Sequence, residues 1–118
     1  MHTKAAGNQA EQLACDYLLK HGHHFFDRHY HCRFGEIDLI MRDQGCRVFV
    51  EVRYRKQIAF GSGADSVDQR KQKKLLTTAN HYLSRHGNHN QPCRFDVISI
   101  SGSLQAPNID WIKNTIGI

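Results

Sequence analysis

No apolar run in this 118-residue chain approaches the roughly 18 residues that cross a bilayer. The opening Met1-His2-Thr3-Lys4-Ala5-Ala6-Gly7 lacks the apolar core of a signal peptide, so a cytoplasmic protein is expected. There is no internal repeat, no low-complexity segment and no linker, which leaves one domain over 1–118 as the simplest organisation. None of the four cysteines, Cys15, Cys32, Cys46 and Cys93, forms a CxxC pair, so reduced thiols packed as small hydrophobes are expected. Nine histidines are present, and His29, His31 and Cys32 are zinc-ligand types. Adjacent strand residues face opposite ways, however, and no second ligand pair is suitably spaced, so structural zinc ranks low. A glycine-bearing loop at Ala59–Ala64 lacks the lysine and the spacing of a phosphate loop.

What the chain does have is a core and a positive charge. Hydrophobic residues make up 40% and charged residues 23%, a globular balance. Sixteen Lys and Arg against eleven Asp and Glu give a net charge of +5 and a pI near 9.2, which suits an anionic partner. The positive charge gathers at Arg53-Tyr54-Arg55-Lys56 and at Arg70-Lys71-Gln72-Lys73-Lys74.

Periodicity predicts a helix over 5–21, with Ala10, Leu13, Ala14, Tyr17 and Leu18 as its stripe and Glu11 at the stripe's edge. Strands are predicted over 24–32, 35–42 and 46–54, with Asp43-Gln44-Gly45 turning the second into the third. A second helix over 65–85 carries Leu75, Leu76, Ala79, Tyr82 and Leu83 on one face. A strand follows over 94–100 and a short last one over 108–112. The order implies an α/β domain: one mixed sheet with flanking helices.

Two acids interrupt these strands, Asp38 in "FGEIDLI" and Glu51 in "VFVEVRYR". Alternation places Glu36, Asp38 and Ile40 on one face, and Phe49, Glu51 and Arg53 on one face with the valines opposite. A turn at Gln44-Gly45 sets Asp38 opposite Glu51, with Cβ atoms roughly 5 Å apart. Facing carboxylates repel, and a hard divalent cation, Mg²⁺ or Mn²⁺, is the natural compensation. Arg53 projects from the same face, where it can meet a phosphate. A plain ion-pair network around Arg53 is the alternative. The inward side of the second helix turns polar at its start, through Asp68 and Gln72 with Lys71 at the margin; a pocket or a capping arrangement near Ser66 would each supply partners.

"GNQAEQLACDYL", "GEIDLI", "VFVEVRYR", "SVDQRKQKKL" and "RFDV" together resemble the uncharacterised YraN-like family, which is similar to the PD-(D/E)XK nucleases and especially to archaeal Holliday-junction resolvases. The resemblance runs from Gly7 to about Val97. It implies a restriction-endonuclease-like fold. It implies that Asp38, Glu51 and the Val52 carbonyl bind a metal, that Arg53 stands where a lysine is usual, and that Glu11, Lys71 and Gln72 complete the catalytic set. Ala10 stands where the family commonly has glycine. The implied activity is a Mg²⁺- or Mn²⁺-dependent endonuclease acting on DNA, branched or otherwise structured DNA included, with Arg53, Arg55, Lys56, Arg70, Lys71, Lys73 and Lys74 gripping phosphates and a homodimer matching a symmetric junction. Arginine cannot readily lose its proton as lysine can, so a non-cutting module that binds nucleic acid or a protein is the second expectation.

Overall fold

The computed structural model describes residues 4–56, 69–86 and 91–116, with no side-chain description for 4–6 and 116. Helix α1 (Lys4–Lys20) leads into β1 (His24–Cys32), β2 (Gly35–Asp43) and β3 (Cys46–Arg55); α2 (Gln69–His86), β4 (Cys93–Ser101) and β5 (Asn108–Ile116) follow. The elements lie where the periodicity put them, except that the last strand runs four residues past the expected 112. The expected start of the second helix at 65–68, including Ser66 and Asp68, and the loop at Ala59–Ala64 lie outside the described residues.

The five strands form one sheet in chain order. β1, β2 and β3 are antiparallel neighbours; β3 and β4 run parallel with α2 in the connection between them; β5 returns antiparallel to β4. A parallel pair needs a long crossover, and a helix is the usual one. The two faces of the sheet carry separate cores. Ala10, Ala14 and Leu18 of α1 pack on Leu39, Met41, Val48, Val50, Ile98 and Ile100. Leu75, Ala79, Tyr82 and Leu83 of α2 pack on Ile37, Ile40, Phe49, Phe95 and Val97.

Helix α1 stops because Gly22 takes φ +90°. His23 N–H bonds Leu18 C=O at 3.0 Å and Gly22 N–H bonds Leu19 C=O at 3.1 Å, the paired closure that a left-handed glycine permits. On the other side, α2 sits hard against the start of β2. A Cβ at Gly35 would lie 2.9 Å from Thr78 Oγ1, and that hydroxyl donates to Lys74 C=O at 2.7 Å. Gly35→Ala should therefore push α2 off the sheet and cost about 1–3 kcal/mol, read as a lowered Tm. Adding Thr78→Ala should recover part of the loss, because it removes the clashing oxygen.

Candidate active site

The turn at Gln44, which takes φ +56°, pairs Asp43 with Cys46 and sets the register: Leu39 opposes Val50 and Ile40 opposes Phe49. That is the expected register, but it ends one pair short of the expected Asp38–Glu51 partners, because the strands diverge there. The β2–β3 ladder then stops at Leu39 and Val50. β2 stays paired to β1 down to Gly35, and β3 stays paired to β4 up to Arg55. The sheet thus forks, and Asp38 stands where the fork opens.

Strict alternation fails at this place. Leu39 belongs to the α1 core, whereas Ile37 and Ile40 both belong to the α2 core. The expectation that Glu36, Asp38 and Ile40 share a face is therefore wrong. The physical reason is the Asp38 carboxylate, which turns along the sheet and accepts the Val52 N–H at 2.8 Å. A side chain takes the place of the missing ladder bond, and the strand twists around it. The Val52 carbonyl turns to the same edge as its amide, because a strand residue presents both groups to one neighbour. On β3 the alternation holds, with Val48, Val50 and Val52 on the α1 side and Phe49 on the α2 side.

Glu51, with its side chain 14% exposed, accepts Lys71 Nζ of α2 at 2.7 Å and Arg53 Nη2 at 3.3 Å. From the other helix, Glu11 Oε1 meets His29 Nε2 at 2.6 Å, and His29 Nδ1 lies 3.5 Å from Glu36 Oε1. Both helices therefore bring charge to one opening. Burial pushes the Asp38 carboxyl up to about 7, offset in part by the Val52 amide and reinforced by the charges of Glu11, Glu51 and Glu36. Burial likewise raises Glu11, while His29 and Arg28 pull it down.

Asp38, Glu51, Arg53, Glu11 and Lys71 lie around this opening. Gln72 lies half-buried beside Lys71 on α2. The remaining basic residues do not form one patch. Arg70, Lys73 and Lys74 line a cleft with Phe34. Lys56 lines a different one with Gln9 and Tyr54, and Arg55 is exposed at the end of β3.

Sequence reasoning missed His29 as a member of the site. Its φ of +55° is uncommon for a residue with a side chain, and such strain clusters where geometry matters. The spacing of His29 from His31 and Cys32 on the same strand does not point to Glu11 or Glu36; only the fold brings those two acids to it.

Among the described residues, no three His, Cys, Asp or Glu side chains group closely enough to hold a metal by themselves. The fork nonetheless fits a hard divalent cation. Its donors are carboxylate and carbonyl oxygens, the kind a hard cation takes, and a cation there would offset the burial and neighbouring charge that raise Asp38.

The profile of Uncharacterised protein family UPF0102 matches residues 10–100. A UPF0102 protein of Nitrosococcus oceani is 50% identical over 113 residues, covering 95% of this chain and 91% of its own length. One from Stutzerimonas stutzeri is 44% identical, covering 95% and 94%. One from Alcanivorax borkumensis is 46% identical, covering 94% and 90%.

Proposed function

The chain belongs to the uncharacterised protein family UPF0102, and from the geometry of its fork we propose that it is a metal-dependent endonuclease hydrolysing phosphodiester bonds in DNA. One observation carries the reading: the sheet opens beside Asp38, so that this acid, Glu51 and the Val52 carbonyl edge face one space flanked by Arg53 and Lys71. Asp38, Glu51 and the Val52 carbonyl would hold Mg²⁺ or Mn²⁺. When bound, the cation would supply a Lewis acid and would lower the pKa of a coordinated water, the chemistry that phosphodiester hydrolysis needs.

The chain's own residues do the rest. Arg53 stabilises the charge that develops on the phosphoryl oxygens, as a fixed guanidinium can. Lys71 neutralises Glu51 before substrate arrives and swings toward the scissile phosphate afterwards. Glu11 orders water on the α1 side, held by His29. Exposed Arg55, Lys56, Arg70, Lys73 and Lys74 contact the backbone, which gives salt-sensitive, largely sequence-independent binding. A homodimer would offer two such forks to the two equivalent strands of a junction.

A second reading has its own observation. Both Glu51 oxygens are already engaged, by Lys71 and Arg53, a closed arrangement that a binding module would retain. Incubation with four-way junction, flap, single-stranded and linear duplex DNA, each with Mg²⁺ or Mn²⁺, separates the two. The endonuclease reading expects product that vanishes in Asp38→Ala and Glu51→Ala and with chelator, and that falls about 10²–10³-fold in Arg53→Ala. Binding without product under any metal would replace it with the module.

No helix among the described residues is long and apolar enough to cross a membrane.

A further inference from the structure

A second site lies at the start of β2. The turn joining β1 to β2 holds Arg33 and Phe34, and Phe34 remains 38% exposed. The Arg33 guanidinium sits 4.8 Å from the centroid of its ring, and His81 meets the ring edge-on at 6.0 Å. The ring also lines a shallow cleft of about 270 Å³ with Arg70, Lys73, Lys74 and Thr77 of α2. That volume falls short of the roughly 300–1,000 Å³ of a drug-sized pocket and suits one flat group laid against the ring.

Among the described residues, no acid pairs with the cations that line the cleft. Arg70, Lys73 and Lys74 are spaced i, i+3 and i+4, so they share a helix face and repel one another. None of the three makes an ion pair among the described residues, in contrast to Lys71 one position away, which turns to Glu51. The stretch Gln69–Lys74 holds four cations, Arg70, Lys71, Lys73 and Lys74. Such an arrangement is stable only weakly by itself and gains when an anion arrives. An aromatic face within a ring of cations is the arrangement that holds a nucleotide, base on the ring and phosphates on the cations.

We infer that Phe34 is a stacking platform for an unpaired base and that Arg33, Arg70, Lys73 and Lys74 hold the flanking phosphates. This deepens the nuclease reading and rests on its nucleic-acid part, though not on metal chemistry. Phe34 lies four residues from Asp38, about 13 Å along the strand, and Lys71 ties the same helix to Glu51. A strand seated on Phe34 thus runs toward the fork. In duplex DNA each base is stacked on its neighbours and the ring finds nothing to hold, so the platform selects substrates with an unpaired segment.

The test is fluorescence anisotropy in EDTA, with a labelled single-stranded oligodeoxynucleotide and the blunt duplex of the same sequence. Phe34→Ala should weaken single-strand binding about 5- to 100-fold and change duplex binding less than about twofold. Phe34→Leu keeps apolar bulk without a ring and should behave like the alanine variant, whereas Phe34→Trp should bind as the parent does. Lys73→Ala should weaken both forms and flatten the salt dependence. Equal losses on both forms, or none, would overturn the inference. So would failure of the parent to bind single strands, or displacement of the DNA by polyglutamate regardless of residue 34, which assigns the cleft to an acidic peptide. Chelation keeps this independent of cleavage.

Discussion

Asp38→Asn should make the folded chain more stable at pH 8 and at the same time abolish its response to manganese. The carboxyl is raised from 3.8 to about 7, first by burial and then by the charges of Glu11, Glu51 and Glu36. In the unfolded chain Asp38 releases its proton near the lower value, whereas the folded chain holds it up to the higher one. Across that window the unfolded state binds fewer protons, so stability falls as pH rises from 3.8 to about 7. Above that window the penalty is complete, at an upper figure of about 4 kcal/mol. Asparagine removes the charge and keeps an oxygen for the Val52 amide. Its stabilising effect should thus be large at pH 8 and small at pH 4, as thermal melts at the two values will read.

Metal affinity should move the other way with pH. A carboxylate binds a cation only after losing its proton, so calorimetric heat from Mn²⁺ should grow as pH passes through about 7 and be absent in Asp38→Asn. The free fork is then a place where like charges are held together at a cost, and the cation relieves it. A melting gain equal at both pH values would show that Asp38 carries no burdened charge. Manganese heat that persists in the variant would place the cation elsewhere.

Asp96→Ala should have the opposite character: a large loss of stability. Asp96 is 1% exposed, and its partners are all donors. Arg94 Nε reaches both oxygens at 3.1 and 3.2 Å and Arg94 Nη2 reaches one at 3.2 Å. Trp111 Nε1 donates at 2.9 Å and the Asn114 amide at 3.0 Å. Arg94 in turn pairs with Asp43 at 3.1 Å. Removing the carboxylate leaves an indole and a backbone amide without their acceptor and the Arg94 guanidinium with Asp43 alone, a loss of about 3–5 kcal/mol. Asparagine rescues little here, because its amide nitrogen is a donor facing donors. Denaturant melts of Asp96→Ala and Asp96→Asn will check this. Manganese binding measured well below the melting point should survive, since Asp96 belongs to the β4–β5 side of the sheet and not to the fork. Intact stability would mean that the network contributes nothing net.

Asp38 and Asp96 define what the sequence determines and what it leaves to the fold. Both are acids within strands of apolar residues, and strand alternation describes them equally. The sequence alone determined the helices, the first four strands and the β2–β3 register, because apolar period and a two-residue turn are local properties. That register brought Asp38 toward Glu51, and the valines fixed which face Glu51 and Arg53 would share. The tertiary structure decided the fork, since a ladder's end depends on two strands diverging, and so reversed Glu36 to the α1 side. It also decided that Lys71 meets Glu51 while Lys73 and Lys74 meet Phe34, because packing of α2 through Gly35 and Thr78 sets the rotation of that helix. Asp96 became structural only when β5 extended past 112 and turned the left-handed Asn114 toward it. Those partners lie 15 and 18 residues away in the chain, a separation at which hydrophobic periodicity carries no information and only folding brings charge, donor and acceptor together.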